Sequence, residues 1–138
     1  MIDETSAFGA RAARRLREER IAWLTTVAQD GTPQPVPVWF LWDGLDSVLI
    51  YSRPSKPKLR NIARNPRVSL HLDGDGQGGD IVVLLGKARV SDDPPADQIP
   101  EYATKYSWGF ERNRWTARQF AEDYSVPIRI NVSGVRGF

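Results

Sequence analysis

The sequence contains no cysteine, a single histidine (His71) and one methionine. The missing cysteine excludes disulfides, thiolate catalysis and cysteine-ligated metal centres, and the lone histidine excludes a site built from several. No stretch approaches the ~20 consecutive apolar residues of a membrane-spanning helix. The opening residues carry acids and then arginines, with no apolar run of signal length, so a soluble cytoplasmic protein is expected. Net charge is also scarce: 19 Lys and Arg against 17 Asp and Glu leave +2. That balance, with no basic stripe, argues against nucleic acid as a partner. There is no internal repeat, linker or low-complexity segment. The 138 residues are expected to form one domain, 1–138, whose modest core would gain from pairing with a second copy.

The chain does have aromatics and one local concentration of positive charge. Five tryptophans are many for this length, and flat side chains suit a flat ligand as well as a core. Arg53, Lys56, Lys58 and Arg60 fall within eight residues. They follow the apolar pattern Val48 to Tyr51 and lead into a short helical pattern at Leu59, Ile62 and Ala63, which Asn65-Pro66 ends. Ser55 or Lys56 can act as N-cap, and Pro57 suits a first helical turn. A strand entering a basic loop and then a helix N-terminus favours an anion, because free N–H groups, the helix dipole and lysine charge converge there. The same composition also makes an ordinary solvated turn, and on this stretch alone both readings stand.

The remaining pattern is mostly strand. Residues 5–20 read as an amphipathic helix on Phe8, Ala12 and Leu16, with its arginines spread over the other faces. Residues 21–28 and 34–42 form a hairpin across Asp30-Gly31, and 47–52 follow the turn Asp43-Gly44. Pro33, Pro35 and Pro37 cannot donate to a ladder, which sends the first half of the second strand to an edge, a bulge or a ligand. Residues 67–73 alternate as a half-buried strand, and 74–79 make a glycine-rich turn lacking the features of a calcium loop or P-loop. Residues 80–90 form a long strand whose apolar run Ile81 to Leu85 predicts cover on both faces, with Gly86 as a bulge position. Residues 96–106 are helical, 107–115 irregular and rich in aromatics, and 116–124 a helix opened by the capping box Thr116/Gln119. Residues 127–132 are the last strand, with Val135 and Phe138 available to anchor the tail. The expectation is a mainly β protein with peripheral helices, its six antiparallel strands closing into a split barrel that removes sheet edges.

Several stretches taken together carry a family resemblance. They are Ala22-Trp23-Leu24-Thr25-Thr26-Val27, Asp30-Gly31-Thr32-Pro33-Gln34, Pro37-Val38-Trp39-Phe40, Tyr51-Ser52, and the run from Lys56 through Asn65-Pro66-Arg67-Val68. In this order and spacing, over roughly residues 18–134, the chain resembles the pyridoxamine 5′-phosphate oxidase-like split barrels. More narrowly, it is similar to the coenzyme F-420 (deazaflavin)-dependent oxidoreductases among them. The resemblance implies a homodimer with cofactor sites at the subunit interface. Pro37, Val38 and Trp39 would run beside the cofactor ring, Tyr51 and Ser52 would lie under the ribityl-phosphate region, and Lys56 and Lys58 would hold the phosphate. Asn61 belongs to the same pattern, and Arg53 and Arg60 are candidates for the cofactor's acidic tail. The resemblance does not extend to vitamin B6 oxidation, because Ile128 to Gly134 lacks the Arg-rich substrate-phosphate motif of the oxidase proper.

The function implied is hydride transfer from F-420 to a conjugated small-molecule acceptor, with no metal. The alternatives are an FMN enzyme of the same fold and a non-catalytic cofactor carrier. No catalytic side chain is assigned: His71 is a proton donor or, more commonly, a structural residue on a strand. Trp108 and Trp115 form a lid or pack an interface.

Overall fold

The computed structural model describes residues 1–138. Helix α1 (Ala7–Glu18) opens the chain, with Ser6 as N-cap accepting from the Gly9 N–H at 2.9 Å. Strands β1 (Ala22–Val27), β2 (Pro33–Val38), β3 (Leu41–Trp42) and β4 (Ser47–Ser52) lead to α2 (Pro57–Arg64). Strands β5 (Arg67–His71) and β6 (Val82–Val90) follow. A single 3-10 turn (Ala96–Gln98) and helices α3 (Pro100–Lys105), α4 (Ser107–Asn113) and α5 (Ala117–Asp123) precede the last strand, β7 (Val126–Gly137). No helix is long and apolar enough to cross a membrane.

All strands lie in one antiparallel sheet of order β2-β1-β5-β6-β7-β4-β3. The three prolines of β2 sit on an edge, where no ladder hydrogen bond is lost. One core cluster takes side chains from every strand, including Val38 of β2 and Trp42 of β3 at the two opposite edges. The sheet must therefore curl until both edges face the same interior, which makes it a split barrel. Leu16 and Ala12 of α1 and Ile62 of α2 close that interior. Arg15 is also buried, its guanidinium donating to the Asp73 and Asp80 carbonyls, and this ties α1 to the 73–80 turn.

The strand count is seven rather than six, because the expected strand 34–42 is broken. Its first part pairs with β1 and its last two residues pair with β4, at opposite edges of the sheet. Trp39 and Phe40 cross the seam between them. The register slips at Leu85/Gly86, where a Cβ on Gly86 would lie 2.3 Å from the Asn131 carbonyl oxygen. Residues 107–115 contain a helix, α4, rather than irregular chain. The outer face of β6 is not covered on both sides as its apolar run suggested: Val83 is half-buried and Leu85 is exposed. The last strand runs past 132 to pair with β6 as far as Gly137, Val135 packs on the core, and Phe138 is exposed.

A second cluster lies outside the barrel. Leu49 and Tyr51 point outward from β4 into Ala96, Tyr102, Tyr106, Phe110, Phe120 and Ala121 of the helical segment. Strand β4 is thus buried on both faces. The same segment supplies the polar partners that the seam needs. Residue Phe40 is fully buried and stands outside both ladders. Its N–H donates to the Tyr106 hydroxyl at 2.8 Å. Its carbonyl accepts from Lys105 Nζ at 2.8 Å and lies 3.0 Å from the Tyr106 oxygen, which can also donate to the Arg20 carbonyl at 2.7 Å. The Lys105 ammonium sits 3.8 Å from the centre of the Phe40 ring.

Two consequences can be measured. Tyr106→Phe strands the buried Phe40 N–H and is expected to lower the unfolding free energy by about 1–3 kcal/mol. An unchanged urea midpoint would show that the seam does not depend on this hydroxyl. Burial lowers the Lys105 pKa to about 8, against a smaller opposing effect of Glu19. Between pH 8 and 10.5 the unfolded chain therefore binds more protons at this residue than the native one, and stability rises with pH across that window. Burial pushes Tyr51 up to about 12, with the Asp93 charge adding to the shift; this effect has the opposite sign but begins only above pH 10. The urea midpoint of the wild type should climb from pH 7.5 to 9.5, and Lys105→Met should climb less.

Candidate functional site

The basic loop ends in a helix that lacks its usual cap. Ser55 adopts a left-handed φ of 67°, uncommon for a residue with a side chain, and turns the loop toward α2. Lys56 is the N-cap and Pro57 follows in the first turn, with no side chain accepting from the N-terminal N–H groups. The first turn carries no acid, while Lys58 sits within it. Two lysines at the positive end of a helix dipole repel both it and each other, an imbalance that a bound anion would relieve. Lys58 is half-buried, and its pKa is lowered by burial first and by the Lys56 charge second.

Two cavities meet at Lys58. The first is a polar cleft of about 370 Å³ bounded by Thr26, Gln34, Val36, Lys56, Pro57 and Lys58. The second is an aromatic chamber of about 230 Å³. Pro37, Val38 and Trp39 wall it on the barrel side, with Tyr51 from β4 and Lys58 at the junction. Tyr102 of α3, Asn113 of α4, and Trp115, Phe120 and Tyr124 around α5 complete it. Neither cavity has an acidic residue in its lining. Together they have the size and mostly apolar lining of a small-ligand site, ~300–1,000 Å³.

The chamber walls are rigid. Trp39 stacks on Tyr106 with ring centres 4.5 Å apart and planes 7° from parallel, and packs on Phe120 at 5.3 Å. Its outer edge lies against Gly109, where a Cβ would come within 2.5 Å of the indole. Phe120 continues the stack to Tyr124 at 4.6 Å, and Arg53 covers the Tyr124 ring at 4.9 Å while pairing with Asp123 at 2.8 Å. The α5 helix that presents these rings is fixed at its start by the Thr116/Gln119 capping box.

The residues singled out in the sequence separate into groups. Pro37, Val38, Trp39, Tyr51 and Lys58 line the chamber, and Lys56 and Lys58 line the cleft. Tyr51 offers its ring, since its hydroxyl donates to the Pro94 carbonyl. Ser52 is buried and lines neither cavity, its hydroxyl donating to the Arg53 carbonyl at 2.8 Å. Asn61 is buried beneath the cleft. Both hydrogens of its amide are engaged, one with Thr26 Oγ1 at 3.0 Å and one with Gln34 Oε1 at 2.9 Å, so it holds two cleft-lining residues in place. Arg60 is exposed on α2. His71 lies on the outer sheet face between Trp23 and Val83, lining neither cavity. Trp115 lines the chamber, whereas Trp108 packs behind Trp39 at 5.8 Å and under the Arg20 guanidinium at 4.1 Å.

Sequence reasoning missed Tyr102, Asn113, Phe120 and Tyr124 in the chamber and Thr26, Gln34 and Val36 in the cleft. A signal existed for three of them: Tyr102 with Tyr106, and Phe120 with Tyr124, each pair four apart, predict shared helix faces. Nothing in the spacing says that those faces meet over β4. No cluster of three or more His, Asp or Glu is arranged to hold a metal.

Solved structures with this arrangement of strands and helices include a conserved hypothetical protein of Mycobacterium tuberculosis, at 23% identity and TM-score 0.70, covering 92% of this chain and 81% of that one. An F420 reductase matches at 24% identity and TM-score 0.65, covering 89% and 94%. A FAD-binding protein of Mesorhizobium loti matches at 23% and 0.64, covering 91% and 88%. No curated protein matches the chain significantly. The family model for pyridoxamine 5′-phosphate oxidase spans residues 8–126, from α1 through α5 with six of the seven strands, and the chain belongs to that family.

Proposed function

We propose that the protein is an oxidoreductase that binds coenzyme F-420 and passes a hydride from it to a conjugated small-molecule acceptor. The observation carrying this reading is the junction at Lys58 of a cationic cleft and a rigid aromatic chamber. A ligand with an anionic end and a flat conjugated end matches both halves, and flavin and deazaflavin cofactors are such ligands. The residues present fit the group. The uncapped, acid-free N-terminus of α2 suits a phosphate, and the aromatic lining of the chamber suits a flat ring. The reductase and FAD-binding neighbours support the same class of ligand.

Lys56 and Lys58 would hold the phosphate by charge-assisted hydrogen bonds, with Asn61 keeping the cleft wall in register. Pro37, Val38, Trp39 and the Tyr51 ring would border the cofactor ring, with Ser52 in the strand end beneath the ribityl-phosphate region. When bound, the deazaflavin supplies the hydride. The protein positions the reacting partners between fixed aromatic faces, excludes water, and keeps negative charge away from the incoming hydride. The outer face of β1, β5 and β6, with half-buried Trp23 and Val83 and exposed Leu85, supports a homodimer.

The first test is a titration of the purified protein with F-420 and with FMN, followed by tryptophan fluorescence. Binding of F-420 in preference to FMN is expected. Preference for FMN would move the protein to a flavin enzyme, and binding of neither would overturn the reading. Lys58→Ala should weaken cofactor binding by about 1–3 kcal/mol, and the Lys56→Ala/Lys58→Ala pair by more. Unchanged affinity in the double variant would remove the cleft from the site. Light scattering at micromolar concentration should return the mass of a dimer, and a monomer would count against interface sites.

A further inference from the structure

Most rings of the chamber are occupied with one another. Tyr106, Trp39, Phe120 and Tyr124 form one column, with successive ring centres 4.5, 5.3 and 4.6 Å apart and successive planes within 27° of parallel. The Arg53 guanidinium closes the end of the column, 4.9 Å from the centre of the Tyr124 ring. Trp39, Phe120 and Tyr124 thus have both faces covered, and what they present to the chamber is their edges. Tyr51 and Tyr102 are buried and set edge to face against each other at 5.1 Å.

Trp115 differs from the rest. It lines the chamber and is only half-buried. The rings beside it, Phe120 at 6.1 Å and Tyr124 at 6.3 Å, are tilted from its plane by 35° and 50°, so neither stacks on it. No cation lies over its ring. The backbone that carries the indole is nonetheless fixed on both sides. Before it, α4 ends on Arg114 with a left-handed φ of 58°, and the Trp115 N–H donates to the Phe110 carbonyl at 2.8 Å. After it, Thr116 opens α5 through the capping box. A large flat side chain is therefore held on a rigid corner of the chamber wall with its face unstacked.

We propose that the unstacked face of Trp115 is the stacking platform of the chamber, a specificity-determining contact for flat, electron-poor conjugated rings. The inference rests on the functional reading above, in that the chamber receives such a molecule. A ring laid parallel and offset on an aromatic face is attracted to it, whereas ring edges only bound the space. Indole is electron-rich, so it favours an electron-poor partner, and a saturated, puckered molecule of the same polarity gains nothing from it. Two sources share this chemistry: the oxidised cofactor ring and an acceptor such as a quinone.

The test compares wild type, Trp115→Phe and Trp115→Leu in the cofactor-free protein by equilibrium dialysis, which reads binding without the indole's own fluorescence. The probes are F-420, FMN, 1,4-naphthoquinone, and decalin-1,4-dione as the saturated analogue of the quinone. Trp115→Leu should bind at least one flat probe about tenfold or more weakly, with Trp115→Phe between it and the wild type. All three proteins should bind the saturated dione alike. A flat probe seated on the indole should also give the wild type a long-wavelength charge-transfer absorption that Trp115→Leu lacks. Should Trp115→Leu lose its circular dichroism, Trp115→Phe and the wild-type absorption band decide. Loss confined to F-420 or FMN assigns the platform to the cofactor, and loss confined to naphthoquinone assigns it to the acceptor. Equal binding of every flat probe by variants and wild type overturns the proposal while leaving cofactor binding intact, and so does an equal loss of the saturated dione. If the wild type binds no cofactor but the variants lose naphthoquinone, the functional reading fails and Trp115 keeps its role. If the wild type binds none of the probes, both fail.

Discussion

The structure depends on how one buried peptide unit is satisfied. A barrel that does not close must pass its chain across the gap, and here the crossing is made by Trp39 and Phe40. Neither edge strand can pair with Phe40, so its N–H and carbonyl would be buried without partners, a cost comparable to losing the hydrogen bonds outright. Tyr106 and Lys105 remove that cost from the helical segment, 66 and 65 residues away in sequence. The barrel and its helical cover are therefore parts of a single fold. The seam requires a hydroxyl and an amine, and the end of α3 and its C-cap supply them at consecutive positions.

The site follows from the same crossing. Because Phe40 is pinned, its neighbour Trp39 leaves the barrel at a fixed angle and becomes the central slab of the aromatic stack. Gly109 then has to be small for α4 to approach that slab. On the opposite side, Asn61 joins α2 to β1 and β2 and fixes the position of the lysine-bearing helix end. The chamber and the cleft are thus referenced to the same edge of the sheet, which keeps a ligand spanning both in one orientation.

Most of the barrel was legible in the sequence because it rests on local signals. Alternation marked β5, the Asp30-Gly31 turn marked the β1–β2 hairpin, and the proline pattern sent β2 to an edge. Gly86 announced the bulge, and Thr116 with Gln119 announced α5. The break at Trp39–Phe40 was not legible. Apolar aromatic residues continue the strand pattern through it, and its cause is a tertiary partner that no short window contains. Helix α4 was missed for a related reason: glycine, tryptophan and asparagine lower its intrinsic helix preference, and the packing of Gly109 and Phe110 against neighbouring rings overrides this. In the site, the basic loop stood out through its concentration of charge ahead of a short helix, and Pro37 to Trp39 were named through the family resemblance. The roles of Asn61 and Ser52 required knowing which neighbours accept their protons.

The helical segment between β6 and β7 contributes no strand, yet it carries half of the chamber wall. Such an insert is usually the part of a scaffold freest to drift, since exchanging it leaves every strand pairing intact. Here that freedom is limited. Any descendant or engineered chimaera that receives a foreign segment loses Tyr106 and Lys105 along with the old wall, and the barrel opens at its seam unless the graft brings equivalent partners. Diversification of ligand preference on this scaffold is thus channelled into positions 102, 113, 115, 120 and 124, while 105 and 106 are inherited with the barrel they close.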